Sequence, residues 1–290
     1  MSTAEDDCAM RELDLGDGHL LRVKEFSLLQ ARWERDEAGA VIWDAGLVLA
    51  HYLAHQHASG RPLLRGRTVL ELGSGTGAVG LAAAALGAQA VWLSDLPHLL
   101  PYLRENIQLN GLGARCSALA LEWANPEHLA AARAGELRRR PDVLLAADVV
   151  YTAEGRRSLL ATMAQLMGAE AEGAKAEAGA GAATAAEAGS QGPGGAGEGG
   201  GNGGEGGGGG EGGGGGDGSG DVQGGGGGWE GGGGCEAYLC FEERPGVEDL
   251  PGLYDKYGLE AEEVPAGGLH PEWRCDEIRL LRLRLRAGGR

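Results

Sequence analysis

Leu13 and Leu15 alternate with polar neighbours, Gly16-Asp17-Gly18 interrupts the run, and Leu21 and Val23 resume it. Period-two alternation around a glycine-bearing turn predicts a β-hairpin over Glu12 to Glu25. Further on, Asp44 stands just before an apolar stretch through Leu47, Leu49 and Leu53, which predicts a helix with Asp44 as its N-cap. A strand–helix alternation then begins. Thr68–Leu72 reads as a short apolar strand running into glycines, and Ala78–Leu86 as a helix stopped by Gly87. Ala90–Ser94 is a strand ending at Asp95, and Leu99–Leu109 is a helix stopped by Asn110-Gly111. Cys116–Leu121 is a weaker strand, Val143–Ala147 a buried strand ending at Asp148, and Glu154–Met167 a helix. Strands alternating with helices imply an α/β fold with a parallel sheet covered on both faces.

Near the C-terminus, Ala237–Phe241 is strand-like, Val247–Tyr257 helical and Leu259–Val264 extended. The last strand, Ile278–Leu285, opens with apolar residues on both faces (Ile278, Leu280 and Leu281). It then sets Leu283 and Leu285 against Arg282, Arg284 and Arg286. No helix separates it from the strand before it, so an antiparallel pairing is expected.

Composition changes this picture in one place. The chain holds 57 glycines in 290 residues, far above the ~7% of ordinary proteins. Most of them lie between Gly168 and Gly234 among Ala and Glu, with almost nothing bulky and apolar. Such a segment cannot bury enough surface to offset its ordering entropy and is expected to be disordered. The expected organisation is a hairpin extension over residues 1–40, one domain built from 41–167 and 235–286, and a Gly-rich insertion over 168–234. The helix before the insertion returns the chain to the amino ends of the strands, so the insertion should leave opposite the carboxyl ends. A flexible chain of ~65 residues spans on the order of 45 Å and costs about 2 kcal/mol more to close than a short loop.

The formal net charge of -17 argues against nucleic-acid binding, which needs clustered Lys and Arg. Five scattered cysteines without a C-x-x-C spacing suit a reducing compartment with no disulfide framework. The acidic start resembles neither a signal nor a transit peptide, and no long apolar run predicts a membrane span. A cytoplasmic monomer is expected. His51 and His55 lie four apart on a helix with His57 nearby. Zinc needs a third ligand and an oriented outer shell, so they read as surface histidines and no metal is expected.

In an open parallel sheet, ligands bind at the carboxyl ends of strands where the strand order reverses. Three such ends carry polar chemistry: Gly73-Ser74-Gly75-Thr76-Gly77, Asp95, and Asp148-Val149-Val150-Tyr151. Glycines let the backbone approach a ligand closely, helix N–H groups from about Gly77 favour an anionic group, and an acid at the second end can accept ribose hydroxyls. The spacing Gly75-x-Gly77-x-x-Gly80 with Asp95 downstream also satisfies a nicotinamide dinucleotide pattern, although no second mononucleotide half is visible. The competing expectation is that Trp43 and Trp123 are core aromatics and Asp148 a loop cap.

Glu71-Leu72-Gly73-Ser74-Gly75-Thr76-Gly77 resembles motif I of the S-adenosylmethionine-dependent methyltransferases. Together with Val41-Ile42-Trp43-Asp44, Ser94-Asp95-Leu96, Glu122-Trp123 and Asp148-Val149-Val150-Tyr151, it resembles the seven-strand protein-lysine methyltransferases, methyltransferase family 16. The resemblance runs from about Val41 to Leu285, without the insertion. It implies a Rossmann-like seven-stranded sheet and S-adenosyl-L-methionine as cofactor. The implied substrate is a lysine on a folded protein such as a chaperone, elongation factor or ATPase. Arg67 to Leu86 and His270 to Ile278 resemble the branch acting on the AAA ATPase valosin-containing protein, although Thr152 stands where that branch carries an aromatic. The family implies that Trp43 borders the cofactor, that Glu71 belongs to its motif, and that Gly73, Ser74 and Gly75 pass under its methionine part. It implies further that Asp95 holds the ribose, Trp123 flanks the adenine and Ala147 lines the cleft by its backbone. Asp148 and Tyr151 would face the lysine channel as the catalytic pair. Methyl transfer to histidine or another amine, and a binding module without turnover, are the competing expectations.

Overall fold

The computed structural model describes residues 8–26, 39–168 and 234–287. Strands β1 (Cys8–Asp14) and β2 (Leu20–Phe26) form the expected hairpin, with Leu13 opposite Leu21. The buried side chains of Leu13, Leu15, Leu21 and Val23 join the main core, as their alternation predicts. The expected disorder between Gly168 and Gly234 concerns residues 169–233, which lie outside the described residues.

Seven strands make the central sheet. In chain order they are β3 (Thr68–Leu72), β4 (Ala90–Asp95), β5 (Cys116–Ala120), β6 (Val143–Ala147), β7 (Glu236–Glu242), β8 (Leu259–Glu263) and β9 (Ile278–Leu285). Their order across the sheet is β5-β4-β3-β6-β7-β9-β8. The pairs among β5, β4, β3, β6 and β7 are parallel. β9 runs antiparallel to both of its neighbours, β7 and β8. No α-helix lies between β8 and β9, so β9 returns antiparallel beside β8 rather than by a parallel crossover.

Among the described residues, six α-helices cover the two faces: α1 (Asp44–Ala58), α2 (Ala78–Ala85), α3 (Leu100–Leu109), α4 (Pro126–Ala134), α5 (Ala153–Met167) and α6 (Leu250–Lys256). Alternate strand residues serve separate cores. Val69, Leu145 and Tyr238 face α1, α2 and the hairpin, while Leu70, Leu144 and Leu239 face α4, α5 and α6. Being buried on both faces is why these strands read as continuous apolar runs.

Three local readings are corrected. Trp43, not Asp44, is the N-cap of α1: its backbone is extended and its side chain caps nothing, while Asp44 is the first helical residue. A carboxylate there is favoured by the helix dipole. α4 was not foreseen. It is started by Asn125, whose side chain accepts the N–H groups of Glu127 and His128, and by Pro126 in its first turn. His51 is no surface histidine. It is buried, its ring stacks on Trp273 with centroids 4.0 Å apart, and burial lowers its pKa to about 4.

Candidate active site

The chain leaves β3 towards β4 and β5, then returns to place β6 on the other side of β3. The strand order therefore reverses between β3 and β6, and a crevice opens at their carboxyl ends. The cleft there has a volume of about 520 Å³, a size suited to a small organic ligand. Gly73, Ser74 and Gly75 line it from the loop after β3, with Glu71 below them. Asp95 lines it from the end of β4, Ala147 and Asp148 from the end of β6, and Trp43, Trp123 and Tyr151 from the flanking loops. The structure thus brings together all ten residues singled out in the sequence.

The glycine loop is held rigidly. Gly73 and Ser74 donate their N–H groups to the carbonyl of Ser94, at 2.9 and 3.0 Å. Gly73 has φ +69°, and a Cβ there would stand 2.7 Å from Val149 and 2.9 Å from Trp123. Neither the backbone nor the space admits a side chain. Asp95 reaches across the loop: its Oδ2 accepts Gly75 N–H at 2.7 Å and its Oδ1 accepts Leu96 N–H at 2.8 Å. Burial raises the Asp95 pKa, and these two hydrogen bonds oppose the rise. A carboxylate has about four acceptor positions, so Asp95 retains capacity for a ligand's hydroxyls while fixing the loop.

Glu71 sits deeper. Its carboxyl group accepts Gly80 N–H at 3.0 Å, and burial pushes its pKa up to about 8. Gly80 lies so close to the sheet that a Cβ would stand 2.0 Å from Leu93 and 2.7 Å from Glu71 Oε2. The third glycine of the spacing therefore serves helix–sheet packing.

The opposite wall is aromatic and acidic. Trp123 is half-buried against Gly73, and Trp43 and Tyr151 are exposed, at 43% and 58%. Neither of the exposed pair is a core aromatic. Asp148 adopts φ +55°, a left-handed conformation that Asp tolerates better than most residues, and its N–H donates to the carbonyl of Cys240 at 2.8 Å. Burial raises its pKa, opposed chiefly by the Arg244 guanidinium.

Sequence reasoning missed three contributors. Gly39, within the N-terminal extension, lines the cleft and packs its backbone on Gly75, where a Cβ would meet Gly39 O at 2.7 Å. Arg244 pairs with Asp148 at 3.3 Å and with Glu242. Asp44, read as a cap, contributes charge beside Asp148. The signal for Arg244 was available: β7 is parallel to β6, so its carboxyl end, with Glu242 to Arg244, opens on the same side.

The residues present fit a nucleoside-bearing sulfonium cofactor. Glycines leave room for close backbone approach, Asp95 offers acceptors, Trp123 offers a flat apolar surface, and acidic groups suit a cation. Among the described residues no cluster of His, Cys, Asp and Glu has the geometry to hold a metal ion.

The family model described as "Lysine methyltransferase" matches residues 24–175, just over half of the chain. EEF1A lysine methyltransferase 3 of Mus musculus is 34% identical over 145 residues, covering 50% of this chain and 57% of its own length. Protein N-lysine methyltransferase METTL21A is 36% identical over 137 residues in Mus musculus, covering 46% of this chain and 58% of its own. In Danio rerio it is 36% identical over 151 residues, covering 49% and 64%. The chain thus spans less than two thirds of the length of these relatives. The glycine loop held by Asp95 stands at the strand reversal, the family model spans just over half of the sequence, and the chain belongs to the lysine methyltransferase family.

Proposed function

We propose that this protein transfers a methyl group from S-adenosylmethionine to the side-chain amine of a lysine in a protein substrate. The observation that carries the reading is the convergence of the Gly73 loop, Asp95 and Asp148 on one cleft at the strand reversal, in a chain of this family. When bound, the cofactor supplies an electrophilic methyl on a positive sulfonium. The remaining work falls to the chain's own residues. Gly73, Ser74 and Gly75 seat the methionine part, Asp95 takes the ribose, Trp123 covers the adenine, and Ala147 borders the cleft by its backbone. Trp43 and Tyr151 wall the mouth.

The nucleophile must be a neutral amine. Lysine titrates at ~10.4, so its deprotonation at pH 7 costs about 4.6 kcal/mol. An apolar, aromatic-walled channel beside a sulfonium lowers that cost by disfavouring the ammonium. Asp148 draws the ammonium in and orients the amine. An ordinary carboxylate is poorly matched to be an efficient general base here.

The substrate class is a folded protein in the cytoplasm. Valosin-containing protein is favoured by the resemblance at Arg67–Leu86 and His270–Ile278, and EEF1A enters because one relative is named for acting on it. Incubating both purified proteins with enzyme and cofactor, followed by mass spectrometry of their lysines, tests the reading. New methyl-lysine on either supports it. Methylation found on histidine would replace lysine as the acceptor.

A further inference from the structure

Asp148 is the carboxylate nearest the substrate in the proposed reading, yet it is largely buried: its side chain is 8% exposed. A buried carboxylate that must attract an ammonium has a problem of its own, because burial favours its protonated, neutral form. Its surroundings decide which form is present. From just past the end of β7, Arg244 reaches Asp148 Oδ2 with Nη2 at 3.3 Å, and Glu242 adds a like charge together with a backbone N–H. Cys240 lies beneath it on the same strand, and its carbonyl accepts the Asp148 N–H. From the start of α1, Asp44 adds a second like charge. Two carboxylates and burial therefore oppose ionisation, and Arg244 supplies the cationic counterweight.

Arg244 is itself aimed. Its Nε donates to Glu242 Oε2 at 2.8 Å, and its Nη2 is shared between Glu242 and Asp148. Arg244 does not line the cleft, whereas Asp148 does. The guanidinium contacts Oδ2 without lining the cleft, and a carboxylate has about four acceptor positions, so Asp148 keeps acceptor capacity for a ligand.

We propose that Arg244 is a positioning residue for the substrate lysine: gripped to Glu242, it keeps Asp148 anionic and oriented so that Asp148 can receive an ammonium. The proposal rests on reading the cleft as a lysine site. The Asp148–Arg244–Glu242 group carries a net charge of about -1 with all three ionised, which an incoming ammonium neutralises.

The test uses n-butylammonium, the charged end of a lysine side chain, titrated by NMR into the full chain with S-adenosylhomocysteine present. The probe stays protonated from pH 5 to 8, since alkylammonium groups titrate near ~10.4, so any pH dependence reports the protein. In the wild type, binding weakens as the pH falls and Asp148 takes a proton. In Arg244→Ala that loss comes at higher pH than in the wild type, the effect of removing one opposing charge, so that on its acid side the variant binds the probe about tenfold more weakly than the wild type at the same pH, and binding recovers as the pH rises. Arg244→Lys stays within about twofold of the wild type, because charge is retained. Glu242→Gln, whose amide oxygen still accepts from Arg244, moves the loss to lower pH, because a like charge is gone. General damage to the cleft cannot produce opposite shifts in two neighbouring variants. The neutral isostere n-butanol binds all variants alike, and Asp148→Asn loses the ammonium preference.

An Arg244→Ala curve that superimposes on the wild type overturns the proposal, as does ammonium preference surviving in Asp148→Asn. Titration with S-adenosylmethionine keeps the two readings apart. Donor binding with no Arg244 effect sinks the positioning role alone, whereas no donor binding sinks the methyltransferase reading.

Discussion

Glu71 shows how much of this site is made by single residues. Its carboxyl group is buried and held to Gly80 N–H, and burial raises its pKa to about 8. Between its ordinary value near ~4.3 and about 8, the native protein keeps a proton that the unfolded chain has released. Native stability is therefore undiminished below that window and falls as the pH rises through it. Glu71→Gln keeps an acceptor for Gly80 and cannot titrate, so its denaturation midpoint should lose that decline between pH 5 and 8. A wild-type slope in the variant would refute this assignment. Gly80→Ala should destabilise by about 1–3 kcal/mol through overpacking against Leu93, read from chemical denaturation. At this scale the sequence was highly legible wherever neighbours in the chain make the site. The loop glycines and the acids at strand ends are local signals. Gly39 was not legible, because it meets Gly75 only after distant segments have folded together; for Arg244 the strand end that carries it could be placed, but its pairing with Asp148 could not.

Among the elements, the N-terminal hairpin is tied into the site rather than appended to it. Asn106, fully buried on α3, donates to the carbonyl of Thr76 in the glycine loop and to that of Lys24 in β2, and accepts Lys24 N–H. The side chain thus completes the hairpin edge and steadies the loop with one amide group. Asn106→Ala leaves several buried polar groups without a partner, each costing about 1–3 kcal/mol. A loss of at least 2 kcal/mol in stability is expected, with faster amide hydrogen exchange over β2 and residues 74–77. Unchanged exchange in both segments would contradict the link. Most elements were readable because apolar period and glycine stops agree. α4 escaped because only Leu129 and Ala132 are buried along it, too few to show a helical period. The sequence Asn125-Pro126-Glu127 nevertheless announces its start.

For the whole molecule, parallel strands and the antiparallel β9 could be anticipated from the spacing of helices. The position of β9 between β7 and β8 could not, since its apolar and arginine alternation states which faces are covered but not by which neighbours. Glu236 gives the physical answer in part, pairing with Arg282 of β9 and with Arg67 before β3. Topology also sets an expectation for the Gly-rich segment. α5 ends at Met167, and Glu236 of β7 pairs with Val143 at the start of β6. The chain therefore re-enters at the amino ends, away from the cleft. Replacing residues 169–233 by a linker of about eight residues should preserve S-adenosylmethionine affinity and raise stability by up to about 2 kcal/mol. Lost cofactor binding on calorimetry would contradict that placement.

The central claim is methyl transfer to lysine at the Asp148 cleft. Its most direct measurement is amino-acid analysis of a protein lysate incubated with enzyme and S-adenosylmethionine labelled in the methyl group, run with the wild type and with Asp148→Asn. Asn suits the left-handed backbone at this position, so the variant tests the carboxylate rather than the fold. Labelled methyl-lysine with the wild type, reduced at least a hundredfold in the variant, an order of magnitude that matches loss of one transition-state contact, is the predicted result. No label in lysine, or equal label with both proteins, would contradict the claim.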